Sequence, residues 1–494
     1  MKKIIISYHP YGSRVCIVED GKLVEFWVEK EDKKRLVGNF YKGKVMNVLK
    51  GMDSAFFNIG LEKNAFLYAG DMLGADDEEV QTTKLNIHQG DEVLVQVVKD
   101  EFGTKGAKIT MNVSLAARGL IMMPSVDYVC ASKKLPDNEQ KEELIKFIDG
   151  IRKPGHGYIL RTQSVDCSKE ELIEETKELE SRWENILKTF KNKQAPALIY
   201  KDESLAVRAV RDMLREDVDE VIVDNNKIYE ELKAAFPYVC KKNPNLIKLY
   251  TSTENILYAY HLSSQIDMLL ERKVMLSNGA NLIIDRTEAL TVIDVNTGKY
   301  VGQKELSETL FETNLIAAKE IARQLRLRNI GGIIVVDCID MDSDEKINKI
   351  MEVLREELDK DRIKATAIDM TPLGLVEITR KKSSSMIGDV LLKPCPYCHG
   401  NGYVYSDEHV ASKIKQDLNN LFKNPKNSTV VIKVSTSVFN KIFAYKIFEK
   451  ECLNEWRDKR IYLIPDELEH VEKYEIKTYF ESIIDLPDTA RLLF

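Results

Sequence analysis

In the first quarter of the chain, apolar residues recur at every second position in the short runs SAFFNIG, NAFLYAGD and DEVLVQVVKD, with glycines at the turns. Period two is the spacing of a half-buried strand, and several such runs in succession predict a small antiparallel barrel. The period then changes. Over about 171–190, Leu172, Ile173, Leu179, Trp183 and Ile186 recur at helical intervals, which predicts a helix with this stripe in a core. Up to about 272, short apolar strands such as EVIVDN alternate with helices, the pattern of an α/β unit.

Two strand-like runs follow, ALTVIDVNTGKYVG and GGIIVVDCIDM, on either side of an amphipathic helix at about 305–329. Its stripe is Leu310, Asn314, Ala318, Ile321, Ala322 and Leu325, and Gly331-Gly332 would stop it. Strand, helix and strand make a crossover unit, so the two strands can lie parallel with their C-terminal ends on one sheet edge. A second amphipathic helix, DSDEKINKIMEVLREELDKD, comes next; from about 405 a last small domain opens with the strand STVVIKVS and carries no catalytic motif.

Composition narrows the class. The 494 residues are 44% hydrophobic and 31% charged, which excludes collagen-like, disordered and membrane-spanning chains. At ~100–200 residues each, roughly three or four domains are expected. The N-terminal MKKIIISYHP is too short in apolar residues for a secretory signal, so a cytoplasmic protein is expected. Eight scattered cysteines read as reduced thiols, and the close pair Cys395/Cys398 reads as metal ligands.

A net charge of −7 argues against a nucleic-acid partner only until the distribution is considered. From Lys33 to Met52 there are six basic residues and no acid, and Gly103–Val126 is likewise acid-free with Lys105, Lys108 and Arg118. An acidic loop, Asp71 to Glu79, would sit at the barrel rim. Phe40, Tyr41, Phe56, Phe57 and Phe66 fall in or between the basic stretches. Cations that follow phosphates and rings that stack on bases are what an oligonucleotide-binding barrel uses; one or two of the five rings are expected to touch RNA and the others to fill the core.

The two strand ends carry the chemistry. Asp294 and Asn296 close the first and Asp337 the second, with Asp340 a lesser candidate in the following loop. Carboxylates brought side by side need a cation, and a hard oxygen-seeking ion such as Mg²⁺ or Mn²⁺ suits them. Such an ion polarises a phosphodiester oxygen and activates water, so phosphodiester hydrolysis is the expected reaction. Asp at a strand end is also an ordinary turn residue. Arg161 and Thr162 end an apolar run, where a guanidinium fork beside a hydroxyl suits a phosphate. In ITRKKSSSMIG, Arg380, Lys381 and Lys382 stand without an acid between Ile378 and Gly388, and either grip RNA backbone near the carboxylates or form a solvated loop. CPYCHGNG offers two thiolates where tetrahedral zinc wants four ligands. Either His399 and a distant residue complete the set, or two chains contribute a pair each.

These residues, above all RTEALTVIDVNTGKYVG, ETNLIAAKEIARQLRLRNIGGIIVVDCIDM and CPYCHGNG, resemble the ribonuclease E/G family over nearly the whole length, and more the ribonuclease G branch, since no long scaffold tail follows the catalytic region. The resemblance implies a multidomain α/β and α+β chain: an RNase H-like domain in two parts, 1–34 and 206–270; an inserted OB-fold barrel of the ribosomal S-one type, 35–118; a 5′-sensor region, 119–205; a DNase I-like catalytic domain, 271–392; a zinc link, 393–404; and a small C-terminal domain, 405–494. It implies a Mg²⁺-dependent endonuclease on single-stranded RNA that leaves 5′-phosphate and 3′-hydroxyl ends, serves rRNA maturation and mRNA decay, and is stimulated by a 5′-monophosphate. Asp294 and Asp337 would hold Mg²⁺, with Asn296 orienting the site. Phe56, Phe66 and Lys105 fall on RNA-contact positions, Arg161 and Thr162 on the 5′-phosphate pocket, and Lys364 on a cationic position of that pocket where relatives often have Arg. Ala117 stands where relatives can have Gly. Cys395 and Cys398 would share Zn²⁺ between protomers, giving a homodimer, or a tetramer of two such dimers. The alternative is a non-catalytic RNA-binding or assembly protein on the same fold, which would have no need of paired carboxylates.

Overall fold

The computed structural model describes the chain except residues 31–34, 50–51, 69–86, 102–104, 216, 299–305, 383–384, 468–469, 480–485 and 494. The expected acidic loop Asp71–Glu79 lies outside the described residues. The chain divides into two compact units, Met1–Val390 and Leu391–Phe494. Among the described residues, no helix is long and apolar enough to cross a membrane.

The larger unit holds four sheets. In the first, Lys2–His9, Gly12–Glu19 and Lys22–Lys30 form an antiparallel meander, and Val218–Val223 and Ile247–Leu249 add in parallel beside the first strand. Ile4, Ile5 and Ile6 are all buried, as the unbroken apolar run of a strand covered on both faces must be. Helix Leu205–Met213 packs Leu205, Ala206, Val207, Ala209, Val210 and Met213 into this core.

The second sheet is the barrel. Phe40–Leu49, Ser54–Asn58, Ala65–Tyr68, Lys108–Thr110 and Glu92–Lys99 follow one another around it, and Phe40–Leu49 closes it by pairing with Glu92–Lys99. This is a closed five-strand barrel of OB-like form. One pair differs from the antiparallel expectation: Ala65–Tyr68 and Lys108–Thr110 run parallel, because Glu92–Lys99, which lies between them in sequence, pairs on the far side of the last strand.

The third sheet, Val129–Ala131, Gly157–Leu160, Leu120–Met123 and Leu115–Ala116, carries the helix Lys169–Asn192, whose Leu172, Leu179 and Ile186 are buried as their spacing predicts. Here Arg118 pairs with Glu171 at 2.7 Å, both buried. The carboxyl of Glu175 accepts the Gly119 amide at 2.9 Å, and burial pushes its pKa up to about 7.

The fourth sheet has the order Lys273–Met275, Asn281–Arg286, Leu290–Asn296, Gly332–Asp337, Leu375–Arg380, Ala365–Met370. Helices Leu306–Leu327 and Asp344–Asp359 cover one face, where Ala318, Ile321, Leu325, Ile350 and Leu354 meet Ile293, Val295, Ile334 and Val336. The first of these helices does not stop at the two glycines. Asn329 takes the left-handed conformation (φ 52°) and the Ile330 amide bonds back to the Leu325 carbonyl at 3.0 Å, so an asparagine performs the reversal usually left to glycine.

A short loop before Ala365–Met370 joins three of the sheets. Lys134, just past Val129–Ala131, gives its ammonium to the carbonyls of Asp361 and Arg362 at 3.3 and 2.5 Å. Arg362 lies over the Trp27 ring at 4.4 Å and pairs with Glu25 at 3.3 Å, both on the strand Lys22–Lys30. Asp361 holds Arg380 of the fourth sheet at 2.8 Å.

In the smaller unit, a sheet ordered Tyr474–Tyr479, Thr429–Ser435, Arg460–Asp466, Arg491–Leu492 packs Val430, Ile432 and Leu463 with Ile414 and Leu418 of helix Asp407–Leu421 and Val438 and Ile442 of helix Thr436–Ala444.

Glu175 generates a pH prediction. Its folded pKa, about 7, stands above the ordinary carboxyl value, so its contribution to stability is full below about pH 4 and is lost as pH rises towards 7. Glu175→Gln has no charge to bury. Its melting temperature relative to the parent should climb from pH 5 to pH 7 and then level off, and a difference independent of pH over that range would refute the buried, neutral acid.

Candidate active site

Residues directly opposite each other in neighbouring strands point to the same face. Leu290–Asn296 and Gly332–Asp337 are parallel neighbours, and their register sets Asp294 beside Asp337. Thr291, Ile293 and Val295, with Ile334 and Val336, turn to the buried side, so both aspartates face away from the helices onto the open side of the sheet. Neighbouring strands are about 4.8 Å apart. Asn296, two residues past Asp294 and on the same face, donates its Nδ2 to Asp294 Oδ2 at 2.7 Å. Among the described residues, neither carboxylate has an ion-pair partner, although the sheet is rich in Arg and Lys. Two adjacent all-oxygen donors with no counter-cation, one of them fixed by an amide, fit a hard divalent ion.

The loop after Asp337 is also fixed. Asn314 on the crossover helix, fully buried, donates to the Ile339 carbonyl at 2.7 Å and accepts the Ile339 amide at 3.2 Å. The helical stripe had marked Asn314 as one more core position; its amide instead holds the backbone two residues beyond the metal-candidate aspartate. Asp340 is exposed in this loop.

The register adds residues that no sequence spacing indicated. Lys273, Ile283, Asp294, Asp337 and Leu375 form one row across five strands, and Lys273 is exposed at its end. The next row holds Asp285, Val292, Val335 and Glu377. Which residues share a row depends on strand order and offset, and a single sequence reports neither.

Arg380 does not reach RNA. It is 4% exposed, and its guanidinium is engaged inside the protein by Asp361 at 2.8 Å and by Asn329 Oδ1 and the Ile330 carbonyl at 3.0 Å each. The basic run had suggested a backbone grip, but strand alternation turns Arg380 inward with Val376 and Ile378. Lys382 is exposed but lies beyond Gly332, the far end of the strand from Asp337. Five strand residues at about 3.3 Å each put it roughly 17 Å from the carboxylates, so it does not act beside them.

On the barrel, Phe56 and Phe66 are cross-strand partners with ring centroids 5.5 Å apart, half-exposed, in a row that runs Asn47, Phe56, Phe66, Lys108. Phe40, Tyr41 and Phe57 are buried. Lys105 is exposed two residues before Ala107, whose carbonyl accepts the Phe66 amide at 2.8 Å. Two rings out of five therefore face outward beside cations.

Arg161 follows the strand Gly157–Leu160, and Thr162 opens a short 3₁₀ turn. Arg161 pairs with Asp212 at 2.7 Å and donates to the Ala117 carbonyl at 2.8 Å. Lys364 is exposed two residues past the carbonyl of Arg362 that Lys134 holds, so the loop that carries it is tied to the third sheet.

In the smaller unit, the backbone N–H groups of Cys398 and Tyr397 and the Cys398 side chain hold the Cys395 thiol below the ordinary thiol range. The Gly402 amide points at Cys398 Sγ at 3.3 Å. His399 (φ 52°) and Gly400 (φ 91°) turn the chain through left-handed conformations, which wraps amides around the sulfurs. Two cysteine sulfurs with two residues between them and backbone amides directed at them fit half of a tetrahedral zinc site.

Residues 114–383 match the model of the Ribonuclease E/G family. Ribonuclease G of Salmonella typhimurium is 37% identical over 425 residues, which cover 84% of this chain and 87% of that protein. The chain belongs to the ribonuclease E/G family. Ribonuclease G of Haemophilus influenzae is 35% identical over 445 residues, 88% of this chain and 91% of that protein, and ribonuclease E of the same organism is 34% identical over 422 residues, 84% of this chain but 45% of its own length. As a member of the ribonuclease E/G family, the chain is an endoribonuclease.

The fate of Arg380 is testable. Removing one partner of a buried ion pair costs about 3–5 kcal/mol. Arg380→Ala should lower unfolding stability by that order in urea while the folded fraction keeps its affinity for single-stranded RNA; full stability with weakened RNA binding would return Arg380 to the RNA interface.

Proposed function

We propose that the chain cleaves single-stranded RNA internally with Mg²⁺, leaving a 5′-phosphate and a 3′-hydroxyl, and that a 5′-monophosphate on the substrate stimulates it. The observation that carries this reading is the in-register placement of Asp294 beside Asp337 on an open sheet face, with no cation paired to either among the described residues. A protein that only bound RNA would gain nothing from two uncompensated carboxylates facing each other.

Asp294 and Asp337 would hold the ion, and Asn296 keeps Asp294 Oδ2 from rotating out of position. When bound, Mg²⁺ supplies a Lewis acid for the phosphodiester oxygen and an acidified water for in-line attack. Asn314 keeps the strand end that carries Asp337 from drifting. Phe56 and Phe66 offer a stacking surface that accepts any unpaired base, at ~1–3 kcal/mol per ring, while Lys105 and Lys108 follow the phosphates. That combination selects for single strands, since paired bases cannot reach the rings.

Within the same reading, the first sheet with its helix Leu205–Met213 is the RNase H-like domain, and the fourth sheet is the DNase I-like one. Arg161 and Thr162 form the 5′-phosphate pocket, and Lys364 stands at a cationic position of that pocket or its surroundings. Cys395 and Cys398 share Zn²⁺ with the same pair of a second copy, so the working form is a dimer or a pair of dimers. Cellular targets are expected among ribosomal precursors and messengers in the cytoplasm.

Two outcomes are expected. Asp294→Asn and Asp337→Asn should bind a short single-stranded RNA as the parent does and lose Mg²⁺-dependent cleavage by at least a hundredfold; parent-like cleavage by either variant would sink the metal assignment. Cys395→Ser should contain no zinc and run at the mass of a single chain in solution, and a zinc-containing dimer of that variant would rule out the shared site.

A further inference from the structure

The donors around Arg161 and Thr162 are unequally committed. Arg161 gives one hydrogen to the Ala117 carbonyl at 2.8 Å and one to Asp212 Oδ1 at 2.7 Å. A guanidinium has five N–H bonds, and among the described residues these two are the ones with protein acceptors. Asp212 is itself gripped by Arg211 at 3.0 Å, and the two guanidinium groups beside it hold its carboxyl below the usual range despite burial. Asp212 thus aims Arg161 without exhausting it.

Thr162 has a single O–H, which it donates to Gln163 Oε1 at 3.2 Å. Gln163 is not free to turn. Its Nε2 donates to the Asp212 carbonyl at 2.8 Å, and the residue is only 4% exposed. A carbonyl can only accept, so the nitrogen must face Asp212 and the oxygen must face Thr162. The oxygens of a dianionic phosphate monoester also only accept. Thr162 therefore cannot donate to such a group while it serves Gln163, and its departure strands a buried amide oxygen, which is costly.

We propose that Gln163 is a specificity-determining residue of this pocket: by keeping the Thr162 hydroxyl proton on an internal acceptor, it weakens the preference for RNA with a 5′-monophosphate over RNA with a 5′-hydroxyl. The inference rests on the reading of Arg161 and Thr162 as phosphate contacts. Neither the family match nor the pattern of the sequence assigns Gln163 a role. Its effect is one of competition: the phosphate is the stronger, charged acceptor, but every binding event first breaks the Thr162–Gln163 bond.

The test measures cleavage of one short single-stranded RNA carrying either 5′ end, with the full chain and Mg²⁺, as the ratio of the two kcat/KM values. A ratio is insensitive to the fraction of protein that is folded. Arg161→Ala should lower it. Gln163→Met, or Gln163→Leu if the first folds poorly, should raise it roughly three- to tenfold, mainly through KM of the phosphorylated RNA. In Thr162→Val/Gln163→Met the rise should vanish, since no hydroxyl is left to release. If Arg161→Ala lowers the ratio but both Gln163 variants leave it at the parent value, the role of Gln163 is overturned while the pocket stands. A rise that persists in the double variant overturns the hydroxyl competition. If Arg161→Ala leaves the ratio unchanged, the pocket reading fails and this inference with it.

Discussion

Parallel pairing of two strands separated by a crossover helix is the constraint on which the site depends. Because the side-chain period of a strand is two, one register brings Asp294 and Asp337 onto one face, and a slip of one residue would bury one of them among alanines and leucines. The apolar alternation of both strands enforces that register: Ile293 and Val295 on one, Ile334 and Val336 on the other, must meet the same helices. Hydrophobic burial thereby performs the positioning, and the carboxylates sit on the side that the core does not use. Because that side is open, a divalent cation can reach both carboxylates and offset their mutual repulsion.

The architecture that could be read in the sequence was the part governed by periodicity. The stripe of Leu172, Leu179 and Ile186 and the crossover between the two acidic strands follow from which positions alternate with which, whereas the choice of Phe56 and Phe66 among the barrel rings comes from the family resemblance. Arg380 shows where that reasoning fails. Its neighbours Lys381 and Lys382 made it look like part of a basic patch, yet it occupies the inward phase of its strand, and its partner Asp361 lies across a loop from it. Charge patterning reports composition, whereas accessibility is set by phase. The same limit hid Lys273 and Glu377, which join the acidic rows only through pairing across several strands.

The pocket around Arg161 was legible as residue types but not as chemistry. An Arg next to a Thr announces affinity for phosphate; it does not say which of their hydrogens are already promised. That depended on Asp212, about fifty residues downstream on the helix of a different sheet, and on the direction in which one buried amide is locked. Hydrogen-bond direction is the level at which two chains with the same motif can differ in selectivity.

The loop at Asp361 and Arg362 has a consequence for how the larger unit comes apart. Its carbonyls are held from the third sheet, its guanidinium from the first, and its carboxylate belongs to the fourth. Three sheets that each own a separate core thus share a contact point a few residues long. Melting any one of them removes anchors from the other two, so denaturation of these layers should be shared rather than sequential.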